Sequence, residues 1–97
     1  MKISKILITG IAGSGGSYLA EYIHENHSDV EIHGIAHSRT NRKNLKSIQT
    51  NVKVHNADLM DFGSVFTVLE QVRPDVIFHL AALARVRNVK GPIMVNF

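Results

Sequence analysis

Short apolar runs alternate with stretches of helical period along this chain. Residues 5 to 9, KILIT, carry an isoleucine-rich run that predicts a buried first strand. From Gly16 to about Glu25, residues Tyr18, Leu19, Tyr22 and Ile23 recur at three- and four-residue steps, which predicts a helix with one apolar face. VEIHGIA, residues 30 to 36, predicts a second strand, and the clean alternation of NVKVHNA, residues 51 to 57, predicts a third. Between them one weak helical turn or two falls at 43 to 49. Asp61 stands where an N-cap belongs, ahead of a helix that carries Val65, Phe66, Val68, Leu69 and Val72. That helix must end near Arg73, because Pro74 disfavours helical geometry in the residue before it. DVIFHLAA, residues 75 to 82, then reads as a fourth, fully buried strand.

The order βαβ(α)βαβ, with right-handed crossovers, predicts an α/β fold: a twisted parallel sheet with the first strand inside it. After Ala82 the pattern loosens, and another helix is expected to begin at Phe97. The fourth strand would then be an open edge, free to recruit another chain.

Length narrows this to one domain or part of one, since 97 residues cannot build a cofactor domain and a substrate domain together. No apolar run approaches 18 residues, so no membrane span is expected. The two lysines and six-residue apolar run at the start resemble a signal peptide, but the run leads into a structured motif rather than a cleavage site. The absence of cysteine excludes disulfides and fits a reducing cytoplasm. A net charge of +3 is too mild to argue for nucleic acid. It is unevenly placed, however: no acidic residue lies between Glu31 and Asp58, whereas Arg39, Arg42, Lys43, Lys46 and Lys53 all do.

The chemistry concentrates in the loop after the first strand. Read as a P-loop, GIAGSGGS from Gly10 to Ser17 has the right glycines and the final serine, but Gly16 stands where the phosphate-binding lysine belongs. Read as a dinucleotide loop, Gly10, Gly13 and Gly16 meet three physical needs. These are a tight turn off the strand, close approach of backbone to a pyrophosphate, and room for the helix to pack on the sheet. The helix N-terminus then offers its unpaired amides to the phosphates.

These residues carry a family resemblance. TGIAGSGGSYLAE resembles the TGxxGxxG fingerprint of the extended short-chain dehydrogenase/reductases, and GSYLAE resembles most the GDP-mannose 4,6-dehydratase branch of their nucleotide-sugar epimerases and dehydratases. The resemblance continues through HGIAHS, the ADL at 57 to 59 and RPDVIFHLAA at 73 to 82. It implies the N-terminal half of a Rossmann-type domain, a parallel sheet with helices on both faces and strand order 3-2-1-4. It also implies that Gly10, Gly13 and Gly16 face the pyrophosphate, within a cofactor-binding loop made of Gly10, Ile11, Ala12, Gly13, Ser14, Gly15 and Gly16. Asp58 and Leu59 would border the adenine, and Leu80, Ala81 and Ala82 would line the ribose and phosphate path. Relatives that prefer NAD place an Asp after the second strand. Here the stretch is His37, Ser38 and Arg39, and Arg39, with Arg42 or Lys43 behind it, could pair with a 2'-phosphate, which favours NADP over NAD.

The family's reaction, hydride removal from a sugar carbon followed by dehydration or epimerisation, uses a Tyr-x-x-x-Lys pair. Tyr18 and Tyr22 are the only tyrosines here, and the positions four residues on are Tyr22 and Asn26. The expectation is therefore a cofactor-binding portion without catalytic residues, whose nucleotide-sugar substrate belongs to a longer parent. The alternative is a stand-alone dinucleotide-binding or interaction module that forms homo-oligomers through its open sheet edge. Six histidines raise the question of a metal, but His24 with His27 on a helix, and His33 with His37 on one strand face, lack a third ligand in any recognisable pattern. His79, inside an apolar strand, reads as a hydrogen-bonded core residue.

Overall fold

The computed structural model describes residues 2–80 and 93–96. Five parallel strands, β1 (Lys5–Thr9), β2 (Glu31–Ala36), β3 (Val52–Asn56), β4 (Val76–His79) and β5 (Ile93–Asn96), form one sheet in the order β3-β2-β1-β4-β5. Two helices, α1 (Ser14–Asn26) and α2 (Phe62–Val72), and a 3-10 turn at Lys43–Leu45 complete the described elements. The expected order 3-2-1-4 is present, with one strand more.

β1 lies at the centre because its side chains are apolar in both directions. Ile6 and Ile8 pack with Ala20 and Ile23 of α1 and with Leu45 and Ile48 of the segment after β2. Leu7 packs on the other face with Val65, Val68, Leu69 and Val72 of α2. Each such Leu or Ile burial contributes about 1.5–3 kcal/mol, so a strand with three belongs between two layers and not at an edge. The starts of three strands are pinned by one residue. Asp75 Oδ2 accepts from the amides of Ser4 at 2.8 Å and Lys5 at 2.9 Å, its own amide donates to Lys5 O at 2.9 Å, and its carbonyl accepts from Ile93 N at 3.0 Å.

Three expectations need correction. The fourth strand is not an edge: β5 pairs with it from Val76↔Ile93 to His79↔Asn96, so the interaction module built on an open β4 edge loses its premise. The position where a further helix is expected to begin, Phe97, lies outside the described residues, and the short apolar run just before it forms the unexpected strand Ile93–Asn96, which gains more from a vacant parallel edge than from one isolated turn. The buried face of α1 is not the Tyr18, Leu19, Tyr22, Ile23 face. Gly16, Ser17, Ala20 and Ile23 are buried, whereas Tyr18 and Tyr22 are 71% and 52% exposed. Small residues face the sheet because the helix start lies against the loop backbone at Gly10 and Ile11. Phe66 of α2, whose place in the apolar stripe Val65, Phe66, Leu69, Val72 reads as core, is similarly outside it, 43% exposed and stacked on Phe62.

Candidate functional site

The loop between β1 and α1 is built by close backbone approach. Gly10 has φ 69°, a left-handed conformation that a side chain disfavours, and it turns the chain sharply off the strand. Gly13 N–H donates to Gly10 O at 3.0 Å, closing the turn, and Ser17 N–H donates to Gly13 O at 2.9 Å, starting the helix. A Cβ on Gly16 would stand 2.3 Å from Gly10 O and 2.8 Å from Ile11 Cα, so only glycine lets α1 come this near. The first turn, Ser14 to Gly16, therefore has amides with no helical acceptor and almost no side-chain cover, and Gly15 opens onto free space. Backbone of this kind suits a phosphate group.

This loop forms one wall of a cleft of about 300 Å³ at the C-terminal ends of the strands. Gly10, Ala12 and Gly13 line it on one side, His37 and Thr40 after β2 on another, and Asp58, Leu59 and Met60 after β3 on a third. Ile35, Ala36 and Ala57 make the floor. Ligand clefts of open α/β sheets lie at such strand ends, where the crossovers diverge to opposite faces. The turn that brings His37 in is closed by Thr40 N–H to His37 O at 2.9 Å and by Arg39 N–H to His37 Nδ1 at 3.1 Å. Asp58 is held by its own Asx turn, with Oδ1 accepting from Met60 N at 2.9 Å, and by Ser64 Oγ against its backbone.

Of the residues expected from sequence, Gly10, Ala12, Gly13, His37, Asp58 and Leu59 are brought together in the cleft. Ser14, Gly15, Ser38 and Arg39 are exposed, the first two on the helix start and the others on the adjoining turn. Ile11 is fully buried, its side chain against Gly34 of β2, so only its backbone belongs to the loop. Leu80 packs against the α1-side core and does not line the cleft. Ala81 and Ala82 lie outside the described residues. The basic cluster divides: Arg42 donates to Asn56 Oδ1 on β3, whereas the Arg39 side chain has no partner among the described residues. Thr40 and Met60 were not expected at the cleft, and no local pattern in the sequence marks them.

Beside the cleft, Thr9 and His79 join the ends of β1 and β4. Thr9 Oγ1 lies 2.7 Å from His79 Nδ1 and accepts from Leu80 N at 3.0 Å, which is the hydrogen-bonded core role expected of His79. A second group of titratable residues lies on β2 and β3 and lines no part of the cleft. Glu31 Oε2 accepts from His33 Nε2 at 2.6 Å, and His33 Nδ1 lies 2.9 Å from His55 Nε2. His33 is thus paired with His55, not with His37, which stands exposed beyond the strand. Burial, then the neighbouring His33 and Lys53, hold the His55 imidazole below its ordinary pKa. The bond from His33, then Lys53, holds Glu31 below the usual carboxylate range. No group of three metal-ligating side chains converges among the described residues.

The chain matches known proteins over nearly its whole length. A family model described as GDP-mannose 4,6 dehydratase matches residues 7–94. The GDP-mannose 4,6 dehydratase of Homo sapiens is 37% identical over 91 residues, covering 84% of this chain and 24% of the relative. That of Vibrio cholerae serotype O1 is 36% identical over 90 residues, covering 82% and 23%. Among solved structures, the dTDP-glucose 4,6-dehydratase of Bacillus anthracis in complex with NAD superposes with a TM-score of 0.73 at 26% identity, over 81% of this chain and 27% of that one. The ADP-L-glycero-D-manno-heptose-6-epimerase of Helicobacter pylori gives 0.72 at 30% identity, over 91% and 29%. The chain spans about a quarter of the length of the curated relatives it matches.

Proposed function

We propose that this chain, which belongs to the GDP-mannose 4,6 dehydratase family, is the part that holds the nicotinamide dinucleotide of an enzyme acting on a nucleotide-activated sugar. The observation that carries this is the glycine cradle: Gly16 against Gly10 O, with the bare first turn of α1 opening beside a cleft bounded by residues 37–40 and 57–60. In this reading the amides of Ser14 to Gly16 hold the pyrophosphate, and the wall formed by Asp58, Leu59 and Met60 borders the adenine. Thr9 and His79 fix the ends of the two strands over which the rest of the dinucleotide passes. When bound, the nicotinamide supplies a hydride acceptor for oxidising a sugar carbon and returns the hydride later in the cycle. The Tyr-x-x-x-Lys pair of that chemistry is absent from these 97 residues, so the proposal for this chain alone is binding.

We assign the 2'-phosphate of NADP to Arg39. The position after β2 offers no carboxylate for a ribose 2'-hydroxyl, Arg42 is engaged with Asn56, and the Arg39 side chain, on the turn that adjoins the cleft, has no partner among the described residues. The lack of cysteine fits a cytoplasmic location, which we include in the proposal. No helix among the described residues is long and apolar enough to cross a membrane. Calorimetric titration with NADP and with NAD, repeated on Arg39→Ala, tests the site. NADP is expected to bind, and Arg39→Ala to weaken it about tenfold or more while changing NAD less than about twofold, the scale of one charge-assisted contact. Equal loss for both nucleotides removes the 2'-phosphate assignment, and binding of neither removes the site.

A further inference from the structure

We propose that Asn44 is a positioning residue for the pyrophosphate loop, a role that rests on the dinucleotide reading above. Its Nδ2 donates to Ala12 O at 3.0 Å across 32 residues of sequence. The next amide along the loop, Gly13 N–H, donates to Gly10 O at 3.0 Å. The peptide unit joining Ala12 to Gly13 is thus held at both ends, its carbonyl by Asn44 and its N–H by Gly10. This unit lines the cleft and immediately precedes the free amides of α1. Its plane decides where those amides point.

The donor is itself anchored. Asn44 lies in the 3-10 turn, next to Leu45 and four residues before Ile48, which are 2% and 5% exposed and packed in the α1-side core. Lys43 N–H donates to Asn41 Oδ1 at 2.9 Å and Leu45 N–H to Arg42 O at 3.0 Å, so the turn is ordered on both sides of Asn44. Upstream, the same segment supplies His37 and Thr40 to the cleft. One short stretch therefore shapes the far wall of the site and orients the phosphate loop opposite it. The chemistry requires an amide, because a carbonyl oxygen only accepts: Asn brings N–H donors, whereas the isosteric Asp brings a negative charge and none.

The 97-residue chain is compared with Asn44→Asp, Asn44→Ala and, as control, Ser47→Ala. Ser47 Oγ donates to Glu21 Oε1 at 2.9 Å, a tie from the same segment to α1 that does not touch the loop. The probes are ADP, which carries a diphosphate, and AMP, which carries one phosphate, together with hydrogen exchange of the Gly13 amide without ligand. Loss of one such bond corresponds to about five- to tenfold in affinity. Both Asn44 variants are expected to lose that factor for ADP and less than about twofold for AMP, and to exchange Gly13 faster, while Ser47→Ala leaves all three readings unchanged. Equal weakening of ADP and AMP, or weakening that follows only the loss of thermal stability, makes Asn44 structural and overturns the proposal. A wild-type chain that binds neither nucleotide overturns the dinucleotide reading itself. That outcome is distinct from wild type binding ADP and Asn44→Asp binding it equally well. Should Asn44→Asp not fold, Asn44→Ala carries the same comparison.

Discussion

Glycine does two different things within three residues of this chain. At Gly16 a methyl group would meet Gly10 O at 2.3 Å and backbone on the next residue, atoms that cannot rotate away. Gly16→Ala is therefore expected to destabilise the fold by about 1–3 kcal/mol, the range for overpacking, and to abolish nucleotide binding with it. One position earlier nothing lies within 4 Å of the same methyl. Gly15→Ala is expected to stabilise the fold by about 0.5–1 kcal/mol, the helix preference of alanine over glycine. Chemical denaturation of the two variants side by side checks both, and equal effects would contradict the packing argument. The Gly10, Gly13, Gly16 spacing was legible in the sequence because Gly10, with φ 69°, and Gly16, against the loop backbone, answer needs set by residues close in the chain. Thr40 and Asn44 were not, since what places them is a turn anchored through Leu45 and Ile48 to residues far away in the chain.

At the scale of the element, α2 shows start and stop signals acting as expected from composition. Asp61 Oδ1 accepts from Gly63 N at 3.1 Å as the N-cap, and the helix stops at Val72 ahead of Pro74. Asp61→Ala is expected to cost about 1 kcal/mol in thermal or denaturant unfolding. The C-cap is less comfortable, because Arg73 adopts φ 51° and ψ 61°, the left-handed conformation that costs a residue with a side chain about 1–2 kcal/mol. Arg73→Gly is expected to raise stability by about 0.5–1 kcal/mol after the greater freedom of the unfolded glycine is subtracted. An unchanged or lower midpoint would show that the Arg73 side chain gives back what its backbone loses. In α1 the helix was legible but its orientation was not. The apolar Tyr18, Leu19, Tyr22, Ile23 pattern points one way, and contact between Gly16 and the loop backbone turns a face of small residues inward instead.

For the molecule as a whole, stability is expected to fall as pH drops, in two stages. His55 has a pKa below the ordinary histidine value of about 6.5, so between the two the unfolded chain binds the proton and the folded chain does not. Its contribution is complete above about pH 6.5 and is lost below it, because burial disfavours a proton on His55, and His33 and Lys53 nearby add to that. Asp75 is held low by the Lys5 and Ser4 amides, and Glu31 by His33. What these two carboxylates contribute is present above the ordinary carboxylate range, near pH 4, and is lost as pH falls through their lower folded values. Denaturation midpoints from about pH 8 to pH 3, with His55→Gln for comparison, separate the stages. The variant should flatten the decline below about pH 6.5 and leave the acid limb in place, and a decline identical to wild type would remove His55 from the account.

The local content of this protein was determined by its sequence alone. Four of the five strands, the capped second helix and the glycine loop follow from apolar period and turn chemistry, which act between near neighbours, and the order 3-2-1-4 was legible through the family resemblance of those same motifs. Tertiary structure decided what depends on residues distant in the chain. It paired Ile93–Asn96 with β4, because a short apolar run becomes a strand only when an edge is there to receive it. It turned α1 on its axis, and it joined His33 to His55 instead of His37. It also divided the basic residues, committing Arg42 to Asn56 and leaving Arg39 exposed on the turn after β2, a choice that depends on where β3 lies beside β2 and that the order of residues does not contain.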